Sequence, residues 1–343
     1  MTNLSKFIDT ISNGYQTAGE SILLGGAIFQ GTIQNNLPVG IPTKMMNRHG
    51  LIAGATGTGK TKTLQVIAEQ LSQQGVPSLM MDIKGDLSGI AAAGANIPAL
   101  IERNDKIGLP FQPRSYPTEF LSISEEPGAR MRATLSEFGP ILFAKILELN
   151  DTQEGVLSVI FKYCDDHKLP LVNLEDLKAV INYATGAGKE EFSEQYGSIS
   201  TATIGTILRK IIALEQQGAT RFFGEISFEV ADLCQTDTAG NGVISIVRLT
   251  DIQDKPSLFS TFMLQLLAEI YATFPEEGDG SKPKLVLFID EAHLIFQEAS
   301  KALLNQLNTI VKLIRSKGVG LIFVTQSPAD LSLIHISEPT RPY

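Results

Sequence analysis

Residues 54–61 read GATGTGKT and match the pattern G-x-x-x-x-G-K-[ST] of a phosphate-binding loop. A short apolar run at 50–53 precedes the loop, and residues 61–71 repeat apolar side chains at three- and four-residue spacing. This order predicts a strand, a glycine-rich turn and a helix whose N-terminus points at bound phosphates. The stretch therefore favours an α/β fold that binds a nucleoside triphosphate. The alternative is a glycine-rich strand-to-helix turn without a ligand.

The residues of the loop have separate chemical roles. The glycines allow a tight turn in which successive backbone N–H groups converge on the phosphates. Lys60 is predicted to reach the β- and γ-phosphates of ATP, and the hydroxyl of Thr61 is predicted to ligate Mg²⁺. We expect contacts to the nucleotide from Gly54, Thr56, Gly57, Thr58, Gly59, Lys60, Thr61 and Lys62.

A second motif lies far downstream, where Asp290 and Glu291 follow the apolar run 285–289. Such a run is typical of a buried parallel strand, whose carboxyl end delivers polar side chains to the crevice above the sheet. We predict that Asp290 holds Mg²⁺ and that Glu291 polarises the water that attacks the γ-phosphate. The alternative is a helix N-terminus whose acids complement the helix dipole. For His293, we expect packing or capping rather than catalysis.

Two further apolar runs end in polar residues that we expect at the same edge of the sheet. The run 319–326 ends in Gln326, which is predicted to sense the γ-phosphate or to orient water. The alternative is that Gln326 only forms the turn before a Ser-Pro pair. The run 77–82 ends in Asp82, which we expect to hold the ligating residues in place by hydrogen bonding without ligating the metal itself.

Longer strings carry a family resemblance over residues 35–331. The strings are RHGLIAGATGTGKT, MDIKGDLSG, GVLSVIFKYCDD, EQQGATRFFGE, LVLFIDEAHLIF and LIRSKGVGLIFVTQSP. Together they resemble the bacterial HerA-like ATPases. The resemblance implies a RecA-like sheet, hydrolysis of ATP with Mg²⁺, and a hexameric ring that works on DNA as a helicase or translocase.

The resemblance also implies two arginines that stabilise charge in the transition state. Arg315, 24 positions after Glu291, matches an arginine that acts within its own subunit. Arg48, 12 positions before Lys60, matches one that reaches a neighbouring subunit in a ring. The planar fork and permanent charge of arginine suit this task. From the residues alone, each is a cation near a phosphate-facing element, and a solvated surface role is the alternative.

Composition limits the classes of partner. The chain has 343 residues, of which 43% are hydrophobic, and its formal net charge is −9. This hydrophobic content suits one large or two modest cores, so we do not expect disorder. The acidic balance argues against a generally cationic nucleic-acid binder, because neutralising phosphates needs clustered Lys and Arg. It leaves room for local basic strips, for which residues 312–317 and 130–132 are candidates.

Cysteine usage and apolar run length predict a cytoplasmic protein without a membrane segment. Cys164 and Cys234 lie 70 positions apart, with no second pair and no nearby His ligand, which suggests reduced thiols and no metal site. The first residues lack a basic region followed by an apolar core, so secretion is not expected. The longest apolar runs are the length of strands, far from the ~20 residues that span a bilayer.

The spacing of the two motifs predicts the organisation of the chain. Lys60 and Asp290 are 230 positions apart, so a large insertion must lie between them. The predicted divisions are a helix and β-like segment at 1–45, the first part of the ATPase core at 46–127, a mainly helical insertion at 128–275, the second part of the core at 276–331, and a non-native tail at 332–343. Apolar spacing predicts helices at 135–149, 153–164, 174–184, 199–217 and 257–274, and a sheet strand at 242–249.

Residues 332–343 depart from the family pattern, because relatives continue with further strands and helices. We therefore expect this tail to be non-native and the chain to be C-terminally truncated. The strand that enters the phosphate loop would then lie at an unpaired edge of the sheet. The alternative is a genuine short terminus.

These patterns together predict an α/β, RecA-like P-loop NTPase sheet with a large mainly helical insertion. The predicted function is hydrolysis of ATP with Mg²⁺ that drives DNA translocation or processing by a homo-oligomeric, hexameric ring. One alternative is a nucleotide-switched scaffold or protein-remodelling ATPase without DNA activity, which the acidic charge favours. Another is a small-molecule kinase, against which Glu291 counts, since a base that activates water would waste ATP.

Overall fold

The computed structural model describes residues 3–15, 19–109, 111–277, 280–293 and 301–326. The strands are β1 (Ser21–Phe29), β2 (Thr32–Pro42), β3 (Gly50–Ala53), β4 (Ser78–Asp82), β5 (Thr118–Ser122), β6 (Ala129–Arg130), β7 (Ile244–Arg248), β8 (Leu285–Ile289) and β9 (Val319–Thr325). The helices are α1 (Asn3–Tyr15), α2 (Lys60–Gln73), α3 (Pro98–Ile107), α4 (Leu135–Ile146), α5 (Asp151–Asp166), α6 (Leu174–Thr185), α7 (Lys189–Gln195), α8 (Thr201–Gln216), α9 (Pro256–Thr273) and α10 (Lys301–Ile314).

Seven of the described strands form one parallel sheet in the order β3-β9-β8-β4-β7-β5-β6. Strands β1 and β2 form a separate antiparallel hairpin. Because the seven strands run in one direction, their carboxyl ends meet at a single edge of the sheet, which is where ligands bind in open α/β folds. Within the described residues, β3 pairs with β9 alone and lies at one side of the sheet.

The central strands are apolar because they are covered on both faces. Successive residues of a strand point to opposite faces, so Leu287 and Phe288 of β8 belong to two different hydrophobic clusters. One cluster contains residues of α2 and of the hairpin, among them Leu64 and Ile22. The other contains residues of α9, α10 and the helices between β6 and β7. The sheet is therefore the middle layer of a three-layer α/β arrangement.

The helices predicted in the middle of the chain are present, with ends that differ by a few residues from the predicted ones. Three of them start at side chains that cap the exposed N–H groups of the first turn, namely Thr134 for α4, Asn150 for α5 and Asn173 for α6. The predicted strand at 242–249 is also present, as β7. None of the helices in the described ranges has the length and apolarity that a membrane span requires.

The structure adds elements that the apolar pattern did not indicate. Strands β5 and β6 are short, and only Leu121 and Ser122 among their residues are buried, so these strands lack a continuous apolar run. Strand β7, which we placed inside the helical insertion, lies in the middle of the sheet between β4 and β5. The domain boundaries stay a prediction, and residues 332–343 fall outside the described ranges.

The two cysteines lie outside the sheet, Cys164 in α5 and Cys234 in a 3₁₀ turn at Val230–Cys234. Cys164 is buried in α5, Cys234 is half-buried, and neither forms a disulfide. Burial raises the pKa of each thiol to about 11, so both are protonated at neutral pH.

Candidate nucleotide-binding site

The phosphate loop connects β3 to α2, as the sequence predicts. Gly57 and Gly59 have φ angles of 79° and 96°, in the left-handed region that side chains other than glycine rarely adopt. Gly54 lies so close to the end of the loop that an added Cβ would sit 2.5 Å from Thr58 Oγ1. Gly57 and Gly59 therefore supply backbone angles that other residues rarely adopt, and Gly54 leaves room for the Thr58 side chain.

The polar side chains of the loop are held against its own backbone. Lys60 Nζ donates to the carbonyl oxygen of Gly54 at 2.7 Å and to that of Ala55 at 3.1 Å. Thr58 Oγ1 donates to the same Ala55 carbonyl at 2.7 Å. These contacts place the ammonium of Lys60 inside the curve of the loop, at the start of α2, where the helix dipole also favours an anion.

Acidic residues gather at the carboxyl ends of the neighbouring strands. Asp82 ends β4 and Asp290 follows β8, and both residues are buried. Burial raises the pKa of Asp290 to about 6 and also raises the pKa of Asp82. A bound divalent cation would favour the ionised form of Asp290, because the opposite charge offsets the loss of hydration.

Glu291 has an unusual backbone and a carboxylate that Lys84 holds at one of its two oxygens. Its φ angle of 46° is left-handed, and its backbone N–H donates to Asp290 Oδ1 at 2.9 Å. Lys84 donates to Glu291 Oε1 and forms an ion pair with it, and this hydrogen bond raises the pKa of Lys84. His293 Nδ1 lies 3.2 Å from Glu291 Oε2, although neither of these two atoms has a hydrogen-bond partner among the described residues. His293 therefore packs against the acid.

The turn after β4 connects the phosphate loop to the acidic residues. Asp86 Oδ2 accepts from the Thr61 hydroxyl at 3.2 Å, and the Asp86 carbonyl accepts from Gln65 Nε2 at 3.4 Å. Asp82 Oδ1 accepts from the backbone N–H of Gly85 at 2.7 Å, which holds the turn in its curved form. The structure thus places Lys60, Thr61, Asp290 and Glu291 at one edge of the sheet and adds the turn at residues 82–86.

The donors at this edge fit a nucleotide and a magnesium ion. Mg²⁺ prefers oxygen ligands, and the Thr61 hydroxyl and the Asp290 carboxylate supply them. Asp82 Oδ2 and Glu291 Oε2 are buried oxygens without a hydrogen-bond partner in the described part of the chain. Buried oxygens in that condition are costly unless water, an ion or a ligand satisfies them.

The other predicted residues lie at two different edges of the sheet. Gln326 directly follows β9 at the carboxyl edge and is exposed. Arg48 and Arg315 are also exposed, but each precedes a strand, β3 and β9 respectively, and so lies at the amino edge. The seven residues of β9 separate the two edges by about 20 Å. The structure therefore does not bring Arg315 or Arg48 to the phosphate loop of its own chain.

Apolar runs and acids in the sequence do not indicate Lys84 as a functional residue. Its only sequence signal is its place in DIKGD, directly after a buried strand that ends in an acid. Glu291, its partner, lies 207 positions away. Only the pairing of β4 with β8 brings the two residues together.

Comparison with known proteins shows the family of the chain. The profile of the family described as Helicase HerA-like C-terminal matches residues 28–334. The chain is 21% identical over 319 residues to the DNA double-strand break repair helicase HerA of Sulfolobus acidocaldarius, covering 90% of this chain and 57% of that protein. It is 22% identical over 315 residues to the protein of that name from Saccharolobus solfataricus, covering 90% of this chain and 56% of the relative. The chain thus spans a little over half the length of these relatives.

Two solved structures share the fold at low sequence identity. The plasmid coupling protein TrwB in complex with the ATP analogue ADPNP superposes with a TM-score of 0.58 at 16% identity, covering 96% of this chain and 72% of that one. VirB4 of Thermoanaerobacter pseudethanolicus superposes with a TM-score of 0.56 at 14% identity, covering 93% of this chain and 80% of that one. The predicted α/β P-loop fold is confirmed. Since the family profile covers most of its length, the chain belongs to the Helicase HerA-like C-terminal family.

Proposed function

We propose that the chain is a P-loop ATPase that hydrolyses ATP with Mg²⁺, and that in a longer protein this hydrolysis drives DNA translocation or processing by a ring. The observation that supports it best is the meeting of the phosphate loop, Asp290 and Glu291 at one edge of the sheet. A nucleoside triphosphate needs a cradle for its phosphates, a ligand set for a cation and a group that directs water. The phosphate loop is the proposed cradle, Asp290 is a proposed ligand of the cation, and Glu291 is the proposed group that directs water.

The residues of the proposed nucleotide site have separate roles. The backbone of the loop and Lys60 bind the phosphates, and Thr61 and Asp290 hold Mg²⁺. When bound, Mg²⁺ neutralises charge on the phosphate oxygens. Glu291 orients a water and accepts its proton, while its buried position keeps the carboxylate away from bulk solvent. Gln326, at the end of the strand between the loop and β8, is proposed to orient water or contact the γ-phosphate.

The names of the relatives support ATP as the substrate and DNA as the partner. TrwB has been solved with ADPNP and with ADP and Mg²⁺, and it has the same fold as this chain. The curated relatives are named DNA double-strand break repair helicases. We therefore propose DNA as the partner, a hexameric homo-oligomer as the working form, and the cytoplasm as the location.

A second candidate is an ATPase that remodels a protein partner or switches a scaffold. The net charge of −9 favours it, because a DNA-binding surface must be cationic at least locally. Both candidates use the same nucleotide chemistry, so they differ only in what stimulates hydrolysis.

The first test measures nucleotide affinity of this chain by calorimetric titration with Mg-ATP. Lys60→Ala should abolish tight binding, because the loop loses its phosphate-paired ammonium while the backbone cradle remains. The control is Lys106→Ala, which removes an exposed lysine paired with Glu102 on α3. Unchanged affinity in Lys60→Ala would show that the loop is not the site.

The second test measures phosphate release by a full-length relative with and without duplex DNA over a series of salt concentrations. Stimulation by DNA that declines as salt rises supports the DNA-driven function, because contacts to phosphates release counterions. Hydrolysis that DNA leaves unchanged at every salt concentration favours the protein-remodelling candidate.

A further inference from the structure

The ion pair between Lys84 and Glu291 joins the carboxyl ends of two adjacent strands, β4 and β8. The Glu291 side chain is 5% exposed, whereas the Lys84 side chain is 40% exposed. The carboxylate is therefore enclosed, and the lysine is the member of the pair that has room to move into solvent. Lys84 also lies in a turn rather than in a regular element, between β4 and a 3₁₀ turn at Ser88–Ala91.

This contact occupies the group that the proposed reaction needs free. A general base must accept a proton from a water within hydrogen-bond reach. Glu291 Oε1 accepts instead from the ammonium of Lys84, and Oε2 faces the His293 ring at 3.2 Å. Oε2 is buried and has no hydrogen-bond partner among the described residues. A water that approaches Oε1 must therefore compete with Lys84 for that oxygen.

The turn that carries Lys84 also contacts the phosphate loop. Two residues further on, Asp86 accepts from the hydroxyl of Thr61 at 3.2 Å. The hydrogen bond from Gly85 to Asp82 ties the turn to the end of β4, so its residues are expected to shift together. One short turn thus contacts both the proposed ligand of Mg²⁺ and the proposed base.

We propose that Lys84 is a positioning residue that restrains Glu291, and that the turn at residues 82–86 couples this restraint to occupancy of the phosphate loop. The inference rests on the proposed function, since it assigns Glu291 as the base. Binding of the metal and the phosphates next to Thr61 changes the charge beside Asp86 and shifts the turn. Lys84 then leaves Glu291, which takes a proton from the water whose oxygen bonds to the γ-phosphorus as the bond to ADP breaks.

The experiment compares steady-state hydrolysis without any stimulating partner in the wild type, Lys84→Met, Lys84→Gln and Lys84→Arg. Loss of the restraint should raise kcat about fivefold in the Met and Gln variants and leave KM within about twofold of the wild type. Lys84→Arg retains the cation and should stay near the wild-type rate. The control is Lys282→Met, because Lys282 is 38% exposed and pairs with Glu20 at 2.7 Å, at the opposite edge of the sheet.

Several outcomes overturn the inference. A kcat that falls in Lys84→Met shows that the lysine assists the reaction instead of restraining it. A raised KM with unchanged kcat shows that it binds phosphate. If neither kcat nor KM changes, the ion pair of Lys84 with Glu291 only joins two strand ends, which also overturns the proposal. Absence of hydrolysis in the wild type overturns the proposed function, and this inference with it.

A second arm tests the coupling through the turn. Asp86→Ala breaks the contact to Thr61, so occupancy of the loop should no longer release Lys84 and kcat should fall. Adding Lys84→Met should then restore the rate of the Lys84→Met single variant, because no restraint is left to release. If the double variant stays as slow as Asp86→Ala, Asp86 acts on the metal directly and the coupling is wrong.

Discussion

At the scale of one residue, the fold holds Glu291 in a strained backbone conformation that fixes the direction of its side chain. Its left-handed backbone, with φ of 46°, costs about 1–2 kcal/mol for a residue other than glycine. The hydrogen bond to Asp290 Oδ1 and the ion pair with Lys84 offset this cost. Strain of this kind collects at functional sites, where the surrounding structure holds a side chain in a particular direction.

Glu291→Gln should bind ATP as the wild type does and hydrolyse it at least ~100-fold more slowly. The amide keeps the size of the side chain but cannot act as a base. Titration with nucleotide and measurement of phosphate release under single-turnover conditions check the two parts. Turnover near that of the wild type would move the catalytic role to Asp82 or Gln326.

Gly54→Ala should weaken the affinity for ATP about tenfold, because the new Cβ would lie 2.5 Å from Thr58 Oγ1 and would displace this hydroxyl from its hydrogen bond to the Ala55 carbonyl within the loop. The double variant Gly54→Ala/Thr58→Ala removes the colliding hydroxyl and should recover most of the affinity. Equal affinities of the single and double variants would mean that the contact does not shape the loop. Calorimetric titration measures all three proteins.

At the scale of elements, two close contacts hold the hairpin on α2 and the segment before β3 on β9. The phosphate-loop helix α2 carries the hairpin on its outer side, where the amide of Gln70 exchanges two hydrogen bonds with the backbone of Leu23, at 2.7 and 2.8 Å. At the amino edge, the segment before β3 crosses β9 so closely that a Cβ on Gly320 would lie 1.8 Å from the carbonyl oxygen of Met46. The position of β3 beside β9 therefore depends on a residue without a side chain.

Gly320→Ala should lower the free energy of unfolding by about 3 kcal/mol, because backbone or strand must move to admit the methyl group. Gly155→Ala is the matched control, since Gly155 is exposed in α5 and has no atom within 4 Å of an added Cβ. It should raise the free energy of unfolding by about 0.5–1 kcal/mol through helix propensity. Urea unfolding followed by circular dichroism measures both, and a Gly320→Ala protein as stable as the wild type would contradict the expectation.

The whole molecule places its phosphate loop and its two candidate arginines at opposite edges of the sheet. Arg48 and Arg315 are exposed at the amino edge, and Lys60 lies at the carboxyl edge. A charge at the amino edge lies about a strand length from the phosphate loop of its own chain, so a neighbouring copy is the partner that we propose for Arg48. The proposed ring supplies such a neighbour.

If Arg48 acts on a neighbour, Arg48→Ala in a full-length relative should leave nucleotide affinity intact and cut hydrolysis by roughly 10³-fold. Mixing it with Glu291→Gln subunits should restore activity, because some interfaces then join a wild-type Arg48 to a wild-type Glu291. Hydrolysis in the mixed sample is measured against the ratio of the two subunits. Activity that only tracks the fraction of each mutant would place Arg48 on the surface and remove this argument for a ring.

Arg315 serves as the comparison in the same mixing experiment. It lies at the same edge as Arg48 and is also exposed. If it acts within its own subunit, as the family resemblance implies, Arg315→Ala should slow hydrolysis without recovery on mixing. Its distance from the loop leads us to expect a smaller effect than that of Arg48→Ala.

Local features of the sequence determined the parts of this protein that depend on near neighbours. The phosphate loop was readable because its glycines and Lys60 act within eight residues, 54–61. The buried strands and the amphipathic helices were readable because burial imposes a repeat of two or of 3.6 residues on the chain. Strands β5 and β6 were missed because partial burial imposes no such repeat.

The tertiary structure alone decided which strand ends are adjacent. The order of the sheet puts β7 between β4 and β5, and puts β3 beside β9, although β7 is far along the chain from β4 and β5 and β9 is far from β3. Lys84 consequently contacts Glu291, and Arg315 lies an entire strand length from the loop. The physical reason is that apolar periodicity specifies which face of a strand is buried, whereas the choice of neighbour depends on packing between segments hundreds of residues apart.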